Sequence, residues 1–342
     1  MKLKLWLNLL TFGALGLVIF FAWHDISLAF QNMVNLNIWV LLLIIPAQLF
    51  AFYSLGKVFY HFFRATGVNL TMRELWAPMI ELNFVNHVFP SGGASGFSYL
   101  TLRLKPYGVS TAKSTLAQLA RFVSTFLAFI VMMFIALFIL ALQSDVSPLV
   151  ILAVTSIAFV VLFSTAILAY VVGTERRIDA FTKKMTIWLN KFINIFRRKH
   201  PETIKLTNVR KVFMELHEDY LLVRGNLKGM WPVMRWAVLT NLAEASLLYI
   251  AFMAHGTWVN PGAVIIALVV ANLVGLIAIL PGGVGLYEPL MTAVLISGGI
   301  PAALALSATL VYRVISLLTS LITGYFLYHR ALNRYGSADL TG

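Results

Sequence analysis

Between residues 117 and 142 the chain carries one charged residue, Arg121, and between residues 148 and 172 it carries none. At 1.5 Å per residue of α-helix, runs of this length match the roughly 30 Å hydrocarbon core of a bilayer. Residues 5–23, 39–56, 232–254 and 302–327 form comparable runs. Composition agrees: 60% of the 342 residues are hydrophobic, 11% are charged, and mean hydropathy is +0.86. An ordinary soluble domain has about 25% charged residues. A soluble enzyme, a disordered chain and a secreted disulfide scaffold are therefore excluded; there is no Cys. The runs are continuous and do not alternate with period two, which argues against a transmembrane β-barrel. The expected fold class is an all-α polytopic membrane protein with about six full spans.

Charge sets the expected direction of each span, because cytoplasmic loops carry an excess of Lys and Arg. Lys2 and Lys4 place the N-terminus inside, and no small-x-small cleavage site follows, so residues 5–23 read as a retained first helix rather than a signal peptide. Residues 24–37, 143–147 and 255–261 hold no Lys or Arg and read as outside. Lys57, Arg64 and Arg73 read as inside, as do Arg330 and Arg334, which makes the C-terminus cytoplasmic. Of 26 Lys and Arg, 13 fall between residues 173 and 230, against 6 Asp and Glu there. In a soluble protein a net charge of +13 would suggest nucleic acid. Here a basic cytoplasmic loop facing anionic lipid accounts for it, and no nucleic-acid partner is expected.

Parity leaves two segments that cannot be single spans. The chain is inside at Arg73 and inside again near Lys113, so residues 74–106 must enter and return. The chain is outside at Pro261 and must be outside before residue 302, so residues 262–299 do the same from the other face. Both have a glycine-rich tip, at residues 90–96 and 281–285, and read as re-entrant hairpins. Non-helical backbone at such depth is tolerated only where protein or a water-filled cavity shields it. The hairpins align: Pro90 precedes Gly108 by 18 residues, as Pro281 precedes Gly299, and each is followed by a span with one arginine, Arg121 or Arg313. Residues 74–142 and 262–328 thus form an inverted repeat, an organisation common among secondary transporters.

The stretches NHVFPSGGASG (residues 86–96), LPGGVGLYEPL (residues 280–290) and LVYR (residues 310–313) resemble the lysylphosphatidylglycerol synthase transmembrane-region family, also described as flippase-like membrane proteins. The resemblance runs from the first span to the last, and PGG-x-G-x-x-E is its most specific element. It implies a helical bundle with re-entrant elements that moves lipids across the cytoplasmic membrane. Members fused to a soluble synthase domain flip aminoacylated phosphatidylglycerol. No such domain is found in these residues, so aminoacyl transfer is not carried over.

Ionisable side chains inside apolar runs are costly and mark candidate sites. They are Glu81, Arg121, Arg235, Glu244, Glu288 and Arg313. The guanidinium fork suits bidentate phosphate binding and stays charged when buried. Arg121 and Arg313 are therefore expected at a lipid phosphate, or else paired with Glu81 and Glu288 to join hairpin to bundle. Glu288, with Tyr287 beside it in the motif, would neutralise Arg313 or accept a coupling proton. Gly92, Gly93, Gly282, Gly283 and Gly285 offer backbone N–H groups as an anion nest, or simply allow tight turns. Asn83, His87 and Glu244 complete the expected substrate-binding set, while Asn86, Asn241 and Asn272 are as well explained as helix bridges. Arg103 and Lys105 are expected at the cytoplasmic mouth of the first hairpin. No HExxH, DxD or Cys/His cluster occurs, and no nucleotide-binding loop, so neither metal nor cofactor is expected.

Within residues 173–230, Ile178, Phe181, Met185, Trp188, Phe192 and Phe196 recur at helical spacing, as do Leu206, Val209, Phe213, Leu216, Tyr220 and Val223. With Pro201 between them they read as an amphipathic hairpin, its helices packed together or laid on the inner leaflet.

The expected function is a flippase-like transporter in the cytoplasmic membrane, moving an anionic phospholipid or lipid-linked intermediate through a central polar cavity. Membrane lipids are its expected partners, and a homo-oligomer is left open. The alternatives are a membrane-embedded transferase acting on a lipid headgroup, and a scaffold. No catalytic residue is assigned.

Overall fold

The computed structural model describes residues 36–89, 94–143, 148–196, 206–275 and 286–335, together with Phe20, Trp23 and Ser27. The helices are α1 (Ile38–Leu41), α2 (Ile44–Ala65), α3 (Met72–Val88), α4 (Ala94–Leu104), α5 (Thr111–Gln143), α6 (Pro148–Val172), α7 (Glu175–Phe196), α8 (Leu206–Gly225), α9 (Leu227–Ala254), α10 (Pro261–Gly275), α11 (Tyr287–Ser297) and α12 (Ala302–Tyr335). A turn of 3₁₀-helix, Lys105–Tyr107, follows α4. Among the described residues, five helical stretches are long and apolar enough to cross a membrane: Ile38–Ala65, Lys113–Leu142, Val154–Val172, Leu227–Ala254 and Ala302–Ala331. They coincide with five of the six expected spans, and the chain is a multi-pass helical membrane protein. The sixth, residues 5–23, lies outside the described residues apart from Phe20 and Trp23.

The chain divides into two units. One comprises residues 1–158 and 232–342, the other residues 159–231.

In the larger unit, local chemistry fixes where the helices start and stop. Thr71 caps α3: its hydroxyl accepts from the Glu74 N–H, while the Glu74 carboxylate accepts from the Thr71 N–H at 2.7 Å and from its hydroxyl at 2.8 Å. These bonds hold the Glu74 carboxyl below its usual range. The cap is therefore complete at neutral pH and is lost as pH falls through that lowered value. Gly108 (φ +74°) and Gly299 (φ +88°), the glycines matched by spacing, are both left-handed. In each case the next residue donates five residues back, Val109 to Leu104 O at 3.4 Å and Ile300 to Leu295 O at 3.1 Å. That is a Schellman-type stop, and the long helix of each repeat begins directly after it.

The two segments matched by spacing, residues 74–142 and 262–328, pack by exchange. In the first, α3 lies against α4 and α4 against α5; in the second, α10 lies against α11 and α11 against α12. The first limb of each hairpin also packs on the other repeat's long helix, α3 on α12 and α10 on α5. Swapping the repeats leaves this scheme unchanged. Close approach depends on glycine at both crossings. A Cβ on Gly324 of α12 would run into Phe84 Cβ of α3, and one on Gly262 of α10 into the Ala136 carbonyl of α5. Around the first crossing, Phe84, Val85, Val88, Leu317, Leu321 and Tyr328 form a buried cluster. Around the second, Met132, Met133 and Ala136 join Ala267, Leu268 and Met291 in the main core.

In the smaller unit α7 packs on α8, with the Phe181 and Phe213 rings 5.4 Å apart and Arg210 Nε 2.6 Å from Asp179 Oδ1. Of the two arrangements open for this hairpin, the helices adopt mutual packing. Arg210 holds the exposed Asp179 carboxyl below its usual range. Ile178 is fully buried, whereas Trp188 and Ile187 are exposed, so the apolar stripe of α7 serves two surfaces.

Gly324→Ala is expected to lower stability by roughly 1–3 kcal/mol through overpacking against Phe84. Thermal unfolding in detergent checks this, with Gly225→Ala as control, since a Cβ there meets nothing within 4 Å. Equal melting of the two variants would contradict the close α3–α12 seam.

Candidate functional site

A polar cavity of about 260 Å³ lies in the larger unit. At roughly 30 Å³ per water molecule, it has room for a headgroup-sized solute. Its wall includes Gln48 from α2, Asn83, Asn86 and His87 from α3, Arg121 and Thr125 from α5, Thr240, Asn241 and Glu244 from α9, Asn272 from α10, Tyr287 from α11, and Tyr312, Arg313 and Ser316 from α12. Phe52, Phe122, Phe126 and Phe129 supply apolar wall.

Helical geometry explains how single spans present several of these groups. Residues three and four apart share a face, so Thr240, Asn241 and Glu244 point together, as do Arg121 and Thr125, and Tyr312, Arg313 and Ser316. Glu288 sits in the first turn of α11, where a carboxylate is favoured by the helix dipole. It is 5% exposed and accepts a 2.8 Å bond from Arg313 Nε. The Arg313 guanidinium lies 4.1 Å from the centre of the Tyr287 ring. The Tyr287 hydroxyl donates to Asn272 Oδ1 at 2.9 Å and also contacts the Tyr312 hydroxyl. Asn272 in turn hydrogen-bonds Glu244. One network thus joins α9, α10, α11 and α12.

Arg121 is held differently. Its side-chain neighbours are Gln118 Oε1, at 3.5 Å, and the Phe122 ring, whose centre lies 5.4 Å from the guanidinium carbon. It interacts electrostatically with Glu244, but among the described residues it has no carboxylate within ion-pair distance. His87 Nδ1 lies 2.8 Å from the Asn83 carbonyl, so Nδ1 carries a proton and the neutral ring offers Nε2 as acceptor. The Asn83 amide donates to Ser320 Oγ at 2.6 Å, tying α3 to α12. Gln48 Oε1 and Asn86 Oδ1 are buried in this wall and have no hydrogen-bond partner among the described residues.

The structure therefore gathers Arg121, Arg313, Glu244, Asn83, His87 and Tyr287 around one cavity, with Glu288 behind Arg313. It does not bring Glu81 to Arg121. Glu81, 2% exposed, accepts from Arg103 Nε at 2.8 Å and from the Tyr99 hydroxyl at 2.6 Å, clamping α3 to α4. Arg103, expected at an open mouth, is accordingly buried, because a buried carboxylate one hairpin turn away needs its charge. Lys105 is exposed. Arg235, counted among the costly charges, is also exposed; it lies near His61 and does not line the cavity. Gly92, Gly93, Gly282, Gly283 and Gly285 lie outside the described residues, so the expected anion nests do as well. Gln48, Thr125, Thr240, Tyr312 and Ser316 were not singled out from sequence. The signal available for Thr125, Thr240 and Ser316 was their spacing of three or four residues from Arg121, Glu244 or Arg313, and for Tyr312 its place beside Arg313 in the LVYR stretch.

Removing one partner of a buried ion pair costs roughly 3–5 kcal/mol, whereas replacing both by apolar groups costs far less. Glu81→Leu and Arg103→Leu should each lower the unfolding temperature in detergent sharply, and the double variant should regain much of the loss. Additive losses would contradict a coupled pair.

Two comparisons bear on identity. The chain is similar to a UPF0104 membrane protein of Methanothermobacter thermautotrophicus, with 27% identity over 260 residues, 74% of each chain. A second match to a UPF0104 membrane protein of that organism gives 32% identity over 136 residues, 37% of this chain and 41% of the relative. The family model for the lysylphosphatidylglycerol synthase TM region matches residues 5–324. Nearly the whole chain, every cavity-lining residue included, falls within that match, and the protein belongs to the lysylphosphatidylglycerol synthase transmembrane-region family.

Proposed function

We propose that this protein is a flippase-like transporter, not an enzyme, which moves an anionic phospholipid or lipid-linked intermediate across the cytoplasmic membrane. The observation that carries the reading is Arg121, a guanidinium on the cavity wall with no ion-pair partner among the described residues. A second guanidinium, Arg313, stands on the same wall. Placing a charge in a membrane interior costs roughly 2.5–3.5 kcal/mol on insertion scales, and a cation with no carboxylate at ion-pair distance is open to an anionic ligand. Family membership supports a lipid-related role.

In this reading the headgroup phosphate bridges Arg121 and Arg313, and Asn, Thr and Tyr side chains bind the rest of the headgroup. The acyl or prenyl chains stay in the bilayer. The return limbs α4 and α11 have 11 residues each, about 16 Å of helix, roughly half the hydrocarbon core. That length supports hairpins that enter and return, the first from the cytoplasm and the second from outside, with both termini cytoplasmic. The exchanged packing gives transport a mechanical route: moving one hairpin against the opposite long helix opens the cavity to one side and closes it to the other.

The test is transbilayer movement of labelled phosphatidylglycerol in proteoliposomes. A hydrogen bond to a charged group contributes about 1.5–3 kcal/mol, so Arg121→Ala should slow movement at least about tenfold. Arg121→Lys should restore part of it, because it returns the charge without the fork. Arg210→Ala, on the exposed surface of the smaller unit, should match the wild type. Lipid mass analysis should show no new headgroup. Movement indifferent to Arg121→Ala, or a modified lipid, would overturn the proposal.

A further inference from the structure

Among the described residues, the formal charges around the cavity cancel. Arg121 and Arg313 contribute two positive charges, and Glu244 and the Arg313-bound Glu288 contribute two negative ones. His87 adds none in its neutral form. The Glu81–Arg103 pair is neutral and lies elsewhere in the first hairpin. A phosphodiester headgroup entering this site brings one negative charge into a region of low dielectric, where an uncompensated ion is costly. One group must change charge as the headgroup arrives, and the geometry distinguishes among the candidates.

Glu288 is held by Arg313 at 2.8 Å. Protonating it would break that bond and take away the pair that orients Arg313. Glu244 faces the cavity and has no ion-pair partner among the described residues. The groups around it are Arg121 from α5, Asn272 from α10, Tyr287 from α11, and Tyr312 and Arg313 from α12, with His87 of α3 on the same wall. Asn272 can donate to an ionised carboxylate through Nδ2 and accept from a protonated one through Oδ1, so either form can be satisfied there. A phosphate on Arg121 would take the cation that now shares the cavity wall with Glu244. The two anions then compete for one guanidinium.

We infer that headgroup binding is coupled to uptake of one proton from water by Glu244, so that the protein carries an anionic headgroup together with a proton. The inference rests on the transporter reading and adds the coupling ion to it. With Glu244 protonated and the headgroup bound, the charges around the cavity again sum to zero. Transport then moves no net charge and responds to a pH gradient, and Glu244 takes the role that the sequence offered to Glu288.

The test is calorimetric titration of the purified protein in detergent with a water-soluble short-chain phosphatidylglycerol. Titrations run from about pH 5.5 to about pH 8.5, each in two buffers of different ionisation heat, so that protons taken up are counted directly. The wild type should take up about one proton per headgroup at the upper end, and its affinity should fall by up to about tenfold per pH unit there. Glu244→Gln, which mimics the protonated acid, should bind with no proton uptake, a flat pH profile, and tighter affinity than wild type at the alkaline end. His87→Gln should keep the pH dependence. Binding by wild type without proton uptake, or a pH dependence that vanishes with His87 and survives Glu244→Gln, overturns the coupling and leaves the transporter reading standing. No binding of the phosphatidylglycerol by either wild type or Glu244→Gln overturns both. The wild-type buffer comparison decides the coupling even if the Glu244 variant fails to fold.

Discussion

Desolvation of charge is the constraint from which the rest of this structure follows. The apolar spans and hairpins of the larger unit carry cations and carboxylates that water would otherwise stabilise, and each must find compensation inside the protein. Among the described residues, two pairs find it at hydrogen-bond distance. Glu81 and Arg103 close the first hairpin on itself, and Glu288 and Arg313 join the second hairpin to the long helix that follows it. Arg121 and Glu244 meet only through the electric field across a hydrated-sized cavity. The contrast separates charges used for assembly from charges left available to a ligand.

Assembly and availability are linked by the exchanged packing. Because α3 lies on α12 and α10 on α5, neither repeat completes its own wall. The cavity forms where each hairpin crosses the other repeat, and each arginine stands on a long helix one hairpin away from its match. Glycine at Gly324 and Gly262 lets the helices approach closely at both crossings. The same helices that bury Phe84 and Met133 therefore hold His87 and Arg121 at the cavity wall.

Much of this was legible in the sequence, for identifiable reasons. Long apolar runs fix spans because backbone polar groups in lipid must be satisfied within a helix. Gly108 and Gly299 were found by spacing alone, and both prove to be left-handed stops, a conformation that few other residues tolerate. The partner of Glu81 was not legible: Arg103 is 22 residues away along a hairpin whose pairing register the sequence does not state. Nor was the α9 face. Asn241 reads as an ordinary helix bridge until packing places it, with Thr240, on the cavity wall. Gln48 carries no periodic signal at all, since it is an isolated amide in an apolar run.

Transport by this route requires the cavity to open to water on each side of the membrane in turn. The chain contains no Cys, so a single cysteine at Thr125, on the cavity wall beside Arg121, is an unambiguous reporter. Its reaction with a small membrane-impermeant thiol reagent, applied to one face of sealed vesicles and then the other, tests that claim most directly. The account predicts labelling from both faces, slowed by added anionic headgroup. A cysteine that unfolding exposes to the reagent but that stays unreactive from both faces in the folded protein would contradict it.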